Sequence, residues 1–203
     1  MDSAPQDHEQ ETPAARHHAV QFYGCDESLF STVAGFVGEG LVAGQPAVLM
    51  ATQAHREGII AALEKRYISV DRARRLGDLV VLDANEMLDL FLVAGMPNVK
   101  LFEQHVGGII EQTLKNRGAN TVLRAYGEMV DVLWKRGRTD AAMSLELLWN
   151  RLAASHQFAL LCGYSMGNFY KRIDQFQQVC SQHSHVLETD SNVVPFELKR
   201  AGR

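Results

Sequence analysis

Three stretches in the second half of the chain place polar residues where a plain hydrophobic core would have none. They are Arg124–Met129 (RAYGEM), Leu145–Asn150 (LELLWN) and Leu160–Tyr164 (LLCGY). The first and third have the pattern of buried strands that end in a glycine beside a polar or reactive side chain. Open α/β sheets bind ligands in the crevice beyond the carboxyl ends of their strands. The pattern therefore predicts a pocket at that edge of a sheet.

The first stretch combines an arginine, a tyrosine and an acid. Arg124 and Tyr126 are two residues apart in a predicted strand, so their side chains share one face of it. Glu128 falls at the first turn of the next predicted helix, where it either stabilises the helix dipole by about 0.3–1 kcal/mol or faces a ligand. An arginine in a buried strand needs a charged partner, and Glu128 or Glu146 could be that partner.

Cys162 lies two residues before the end of the other predicted strand. Free cysteine is a common core residue, so simple packing is one interpretation. The other is a site that admits a small molecule, because Gly163 leaves space beside the sulfur and Tyr164 adds a polar aromatic group. No histidine is close enough in sequence to be named as a base for the thiol, so the sequence does not favour a Cys–His hydrolase.

Histidines occur near both ends of the body of the chain, at His17, His18, His183 and His185. We expect them to be surface or capping residues. A metal site built from His18, Cys162 and His183 is conceivable across adjacent strand ends, but such scattered ligands have little specificity. The sequence therefore leads us to assign no metal ligand and no catalytic residue.

Composition limits the class of protein. The chain has 203 residues, of which 46% are hydrophobic and 22% charged, which fits one globular domain. A formal charge of −4 gives no attraction to nucleic acid or to an anionic membrane. No apolar run approaches the roughly 20 residues of a spanning helix, and the polar start lacks the order of an export signal. Three widely spaced cysteines suggest free thiols, so we expect a cytoplasmic protein.

Strand and helix patterns alternate along the body of the chain. Strands are predicted over 18–23, 46–52, 78–83, 121–126 and 158–164, and helices over 26–41, 55–67, 85–92, 98–116, 128–135, 139–154 and 168–183. This order predicts an α/β fold, a three-layer sandwich whose mostly parallel central sheet carries helices on both faces. Residues 1–16 are predicted to be a disordered leader, 17–188 the domain, and 189–203 a polar tail.

The first strand-to-helix turn bears on nucleotide binding. Gly24–Ser28 (GCDES) lacks the GxxxxGK[ST] pattern, and no Gly-Lys pair occurs in the chain. A phosphate cradle needs backbone donors and a cation, whereas Asp26 and Glu27 would repel a triphosphate. ATP hydrolysis of the P-loop kind is therefore not expected.

Six segments follow one another in an order that resembles a known family. They are His18–Tyr23 (HAVQFY), Gly40–Ala47 (GLVAGQPA), Arg124–Met129, Leu145–Trp149 (LELLW), Leu161–Tyr164 (LCGY) and His183–His185 (HSH). Together they resemble the MEDS family, the methanogen/methylotroph sensory domain found in the repressor of dichloromethane metabolism and beside histidine kinases. The resemblance implies a RecA/KaiC-like α/β sandwich that lacks the Walker A motif and serves as a cytoplasmic sensor of small, hydrocarbon-derived molecules.

The resemblance also bears on partners. The residues outside the domain are too few for the DNA-binding or kinase modules that accompany the family, so we expect the signal to pass to a partner protein. Candidates are a histidine kinase, a transcription regulator or an anti-sigma factor. We expect no direct contact with nucleic acid or membrane, we assign no cofactor, and self-association into a homodimer stays open.

We therefore expect a non-enzymatic sensor whose pocket lies at the strand ends. Its predicted ligand-binding residues are His18, Tyr23, Arg124, Tyr126, Glu128, Cys162 and Tyr164. Two alternatives belong to other classes. One is a degenerate RecA-like nucleotide-binding protein, with Glu128 where an acidic catalytic residue follows a core strand. The other is a ligand-free interaction module that acts on a kinase or an anti-sigma factor.

Overall fold

A six-stranded parallel sheet forms the middle layer of the protein in the computed structural model, which describes residues 17–187. Its strands are β1 (His18–Tyr23), β2 (Ala47–Ala51), β3 (Leu79–Asp83), β6 (Leu123–Gly127), β7 (Phe158–Ser165) and β8 (His185–Leu187). They lie in the order β3-β2-β6-β7-β1-β8, and every pairing is parallel. A two-residue hairpin, β4 (Leu92–Val93) and β5 (Met96–Pro97), lies outside the sheet.

Helices cover both faces of the sheet. One face packs against α1 (Asp26–Val42), α2 (Gln53–Lys65) and α3 (Val70–Leu76). The other face packs against α4 (Ala84–Phe91), α5 (Val99–Phe102), α6 (Gly108–Leu114), α7 (Met129–Lys135), α8 (Thr139–Ser155) and α9 (Ile173–Cys180). The predicted three-layer α/β sandwich with a parallel central sheet is confirmed.

The central strands are buried on both faces, and their sequences are therefore continuous runs of apolar residues. All five residues of β2 are buried. Side chains alternate across a strand, so Val48 and Met50 pack on the α8 side, while Leu49 and Ala51 pack on the α1 side. A parallel sheet covered on both faces needs apolar residues at both sets of positions.

The last part of the described chain departs from the sequence prediction. The predicted helix over 168–183 is wrong, because a 3₁₀ turn (Met166–Phe169) and a break precede the short helix α9. Lys171 has a φ of 58°, a left-handed conformation that a right-handed helix cannot contain. The chain then turns back, and the Ser184 amide donates to the His18 carbonyl oxygen at 2.8 Å, which places β8 beside β1.

Other differences are smaller. The predicted helix over 98–116 is divided by a π-helical turn at Glu103–Gly107, and neither α3 nor the β4–β5 hairpin was predicted. Between residues 17 and 187, none of the helices has the length and apolar character needed to cross a bilayer. The predicted leader (1–16) and tail (189–203) lie outside the described residues.

Candidate functional site

Two buried carboxylates lie at the carboxyl edge of the sheet. Glu128 follows the last residue of β6, and Asp131 lies in the first turn of α7. They are only 1% and 2% exposed. Because α7 starts directly at the end of β6, both acids are held where the carboxyl ends of β1, β2 and β7 also arrive.

Glu128 connects its own strand to α2. Its carboxylate accepts hydrogen bonds from the Thr52 amide at 2.5 Å, from Nδ1 of His55 at 2.6 Å and from the Tyr126 hydroxyl at 3.2 Å. Thr52 follows β2, and His55 lies in the first turn of α2. One side chain therefore holds the β2–α2 junction against the end of β6.

Asp131 connects α7 to β1, to the last residue of β7 and to the 3₁₀ turn that follows β7. It accepts hydrogen bonds from the Tyr23 hydroxyl at 3.0 Å, the Ser165 amide at 3.0 Å and Nδ2 of Asn168 at 2.6 Å. Nζ of Lys135 lies 2.8 Å from the same carboxylate and donates to the Tyr23 hydroxyl at 3.1 Å. We call Tyr23, His55, Tyr126, Glu128, Asp131 and Lys135 the carboxyl-edge cluster.

The protonation of the cluster follows from burial and the two acids. Burial, reinforced by Asp131, raises the pKa of Tyr23, and burial with the charge of Glu128 raises the pKa of Tyr126. Both phenols therefore remain proton donors. The hydrogen bond to Glu128 raises the pKa of His55 although burial opposes the protonated form.

The cluster reaches solvent at one side. The Lys135 side chain is 47% exposed, and the Asp26 side chain, whose carboxylate lies 3.5 Å from Nε2 of His55, is 58% exposed. The Phe30 and Tyr23 rings meet the His55 ring edge-on, with ring centroids 5.6 and 5.8 Å away. This solvent-facing side of the cluster, which we call its opening, thus carries a cation, Lys135, and an anion, Asp26, with the Phe30 ring beside His55.

A second polar cluster lies on the α8 face of the sheet. Glu146 of α8 is fully buried among His18, Cys162, Tyr164 and His183. The Tyr164 hydroxyl donates to its Oε1 at 2.8 Å, and Nε2 of His18 lies 3.4 Å from its Oε2. Burial raises the pKa of Glu146, but the two histidines and the Tyr164 hydrogen bond outweigh that effect and leave the pKa below its ordinary value.

Arg124 lies at the opposite end of β6. Its guanidinium donates to Oε1 of Gln45 and to the Phe36 carbonyl oxygen, both at 2.8 Å, and lies 3.7 Å from Glu39. The predicted pairing with Glu128 or Glu146 is therefore wrong. The side chain crosses α1 at Gly40, where an added Cβ would lie 2.6 Å from its Cδ.

The seven predicted ligand-binding residues occupy three places instead of one pocket. Tyr23, Tyr126 and Glu128 meet in the carboxyl-edge cluster, His18, Cys162 and Tyr164 meet around Glu146, and Arg124 is apart from both. The sequence argument placed Arg124 in the same pocket as Tyr126 and Glu128, because it did not distinguish the amino end of β6 from its carboxyl end.

Two further expectations fail on local geometry. The space above Gly163 is filled, since an added Cβ there would lie 2.6 Å from the Tyr126 hydroxyl oxygen. His18 and His183 are not surface residues, because their side chains are 6% and 0% exposed. His17 and His185, by contrast, are exposed, as predicted.

Sequence reasoning missed His55, Asp131 and Lys135. A signal for each was present: His55 begins the helix after β2, so it lies at the same edge as Glu128. Asp131 follows Glu128 by three residues and Lys135 follows Asp131 by four, which places them on one helical face. The first turn of a helix that follows a parallel strand therefore indicates residues at the carboxyl edge as well as the end of the strand does.

A surface cleft of about 660 Å³ lies away from both clusters, lined by Glu111, Arg117, Thr121 and His156 among others. It borders α6 and the segments that enter β6 and β7, so it lies at the amino ends of those strands. That position is opposite to the edge where α/β sheets bind ligands, and we assign no function to it.

Comparison with known proteins bears on the family. Residues 17–184 match the family model MEDS, described as the MEthanogen/methylotroph, DcmR Sensory domain. No curated protein matches the chain. Because the match spans most of the 203 residues, it confirms the resemblance seen in the sequence, and the chain belongs to the MEDS family of sensory domains.

Proposed function

We propose that this MEDS domain is a cytoplasmic sensor that binds a small molecule at the carboxyl-edge cluster and regulates a partner protein. The observation that carries the proposal is the way two buried acids hold three junctions. Glu128 holds the β2–α2 junction, while Asp131 holds the end of β1 and the end of β7 with the turn that follows it. A guest that alters both sets of bonds acts on all three junctions at once.

The opening of the cluster favours a particular guest chemistry. Lys135 and the Tyr23 hydroxyl offer donors to a carbonyl, hydroxyl or carboxylate oxygen, and the Phe30 ring offers an apolar surface for a short hydrocarbon portion. The buried groups already bond one another, so an incoming molecule must replace existing bonds with few atoms. We infer a small, partly apolar molecule with one polar head.

The same charges disfavour a polyphosphate. Asp26 borders the opening, and Glu128 and Asp131 lie behind it, so a triphosphate would meet three carboxylates and one lysine. Anion sites in α/β sheets instead use backbone donors and a cation after the first strand. These charges favour the sensor over the nucleotide-binding alternative.

Signal transfer follows from the junctions that the acids hold. A guest that takes the Lys135 or Tyr23 hydrogen bonds from Asp131 frees the Ser165 and Asn168 contacts to rearrange. A ligand shifts a conformational equilibrium only by its differential affinity for the two arrangements. The rearranged segment after β7 and the start of α1 then form the surface that the partner protein recognises.

Thermal unfolding of the full chain tests the proposal. Small alcohols, aldehydes, carboxylates and halomethanes are titrated separately, with MgATP as the rival ligand, and at least one small compound is expected to raise the melting temperature in a saturable way. Lys135→Met and Tyr23→Phe should weaken that response, and Lys100→Met, an exposed lysine on α5, should preserve it.

Three results would count against a sensor that binds its ligand at this cluster. Saturable stabilisation by MgATP alone supports the nucleotide-binding alternative. A response that Lys135→Met and Tyr23→Phe leave unchanged removes the binding site from this cluster. Failure of every compound, together with a co-purifying regulator, supports the interaction module.

A further inference from the structure

We propose that His18, Glu146, Cys162 and His183 bind one divalent transition-metal ion of the zinc class. The potential ligand atoms of these four residues all lie within 4.8 Å of one another, in the interior of the protein. They come from β1, α8, β7 and the segment before β8. The proposal does not depend on small-molecule binding at the carboxyl-edge cluster, because the two sites share no residue.

The distances suit tetrahedral coordination. Nε2 of His18 lies 3.3 Å from Sγ of Cys162 and 3.4 Å from Oε2 of Glu146, and that oxygen lies 3.8 Å from the sulfur. A tetrahedral zinc ion with bonds of about 2.0–2.3 Å separates its ligand atoms by roughly 3.3–3.6 Å. An ion therefore fits between these three atoms with shifts of a few tenths of an ångström.

His183 supplies an independent indication. Its side chain is fully buried, and its Nε2 has no hydrogen-bond partner within the described part of the chain. That atom lies 3.6 Å from Oε1 of Glu146. Buried polar atoms are nearly always paired, and an unpaired one is costly. Nδ1 of His183 is bonded elsewhere, so Nε2 is the ring nitrogen that faces the cluster.

Outer contacts fix both imidazole rings in the tautomer that a metal requires. Nδ1 of His183 donates to the Val179 carbonyl oxygen at 2.8 Å, and Nδ1 of His18 lies 2.8 Å from Oδ1 of Asn150. Asn150 is itself oriented by its bond from Nδ2 to the Gln182 carbonyl oxygen at 3.2 Å. Metal-binding histidines typically donate their second ring N–H in this way.

Charge and donor type support the same ion class. A Cys162 thiolate and the Glu146 carboxylate together neutralise a divalent cation, which would otherwise be expensive to bury. Two imidazoles, one thiolate and one carboxylate are ligands that zinc accepts, whereas calcium and magnesium require oxygen. Four protein ligands leave no open coordination position, so we infer a structural role for the ion and not a catalytic one.

Cobalt substitution of the full chain tests the site. After treatment with a chelator, the wild-type protein is expected to bind one equivalent of Co²⁺, with a thiolate-to-cobalt charge-transfer band and the visible bands of tetrahedral cobalt, and Zn²⁺ should displace it. Cys162→Ser should lose the charge-transfer band. Cys25→Ser and Cys180→Ser are matched controls, since both thiols lie outside the cluster, and should retain it.

Two further variants keep the test decisive if Cys162→Ser does not fold. His183→Gln should lower Co²⁺ affinity and alter the visible bands. Asn150→Ala removes only a positioning contact, so it should lower affinity by about 10–100-fold while the charge-transfer band persists. Absence of Co²⁺ and Zn²⁺ binding by the wild-type protein overturns the proposal. A charge-transfer band that depends on Cys25 or Cys180 also overturns the proposal. The same holds for a Co²⁺ affinity that none of the cluster variants changes.

Discussion

Glu128 stabilises a neighbouring helix more than its own. It occupies the N-cap position of α7, yet its side chain makes no capping hydrogen bond there. Its oxygens bond Thr52 and His55 at the start of α2, and Tyr126. A residue that served only the dipole of its own helix would leave these groups without that partner, so the carboxylate holds the edge of the sheet together.

The pH dependence of stability should report on this contact. The hydrogen bond to Glu128 raises the pKa of His55 above 6.5, so the folded state favours the protonated ring. That stabilisation is complete below the unfolded pKa of about 6.5 and is lost as pH rises through the raised folded value. We therefore expect the free energy of unfolding of the wild type to fall with pH more steeply than that of His55→Gln.

Urea denaturation from about pH 6 to about pH 9 measures the two slopes across the histidine range. His156→Gln is the matched control, because His156 pairs with an exposed acid, Glu111, at the surface. Its slope should follow the wild type. Parallel curves for wild type and His55→Gln would contradict the coupling between His55 and Glu128.

Strand direction explains which site residues could be identified from the sequence. Tyr23 ends β1 and Glu128 directly follows β6, and the sequence placed both at the carboxyl edge. Arg124 is the second residue of β6, four positions before Glu128, which corresponds to roughly 13 Å along a strand. His55 and Asp131 were missed because they belong to helices, and their approach to Glu128 depends on tertiary packing that a hydrophobic pattern does not contain.

At the scale of elements, Asp83 joins the end of β3 to the start of α4. Its carboxylate accepts from the amides of Asn85 at 2.8 Å and Glu86 at 3.2 Å, and Arg56 of α2 lies 2.8 Å away. Burial raises the pKa of Asp83, but these amides and Arg56 outweigh it and lower the pKa below its usual value. The residue therefore caps one helix and contacts another on the opposite face of the sheet.

Substitutions at Asp83 should separate the two roles. Asp83→Ala removes the cap and the ion pair, and we expect it to lower the free energy of unfolding by about 1–2 kcal/mol. Asp83→Asn keeps an equally good cap and should cost less, because only the ion pair is lost. Chemical denaturation of both variants beside the wild type measures the difference. Equal losses would show that the cap contributes nothing.

Helix prediction succeeded where one apolar face persisted. The helical spacing of apolar residues in α1, α2 and α8 predicted those elements to within a few residues. The helix predicted over 98–116 contains Gly107 and Gly108, two poor helix formers, just where the π-helical turn meets α6. The helix predicted over 168–183 was wrong, because the chain must break at Lys171 to return to β1. That requirement is a long-range effect, which the local sequence pattern does not contain.

At the scale of the whole molecule, the repeated strand–helix order predicted the layers but not the order of the strands. An apolar run indicates that a strand is buried, but it does not indicate which strand lies beside it. The register places His18 opposite Leu160 and Ala19 between Leu161 and His185, and nothing local encodes these pairings. A RecA/KaiC-like relationship remains a prediction of the family resemblance.

Hydrogen exchange should rank the strands by position in the sheet. β6 pairs on both sides and its last three residues are fully buried, whereas β8 has three residues, pairs only with β1 and exposes His185 and Val186. Interior strands exchange through global unfolding and weakly held edges through local opening. Deuterium uptake by mass spectrometry should therefore be fastest in β8. Uptake in β8 as slow as that in β6 would contradict this ranking.

The position of β1 has a consequence for biosynthesis. Its partners in the sheet, β7 and β8, begin at Phe158 and His185, far later in the chain than Tyr23, where β1 ends. A ribosome adding 5–20 residues per second needs roughly 7–27 s to reach β7 after completing β1. Throughout that interval the N–H and C=O groups of β1 lack the strands that they pair with in the sheet, so we expect β1 to join the sheet only after β7 has been synthesised.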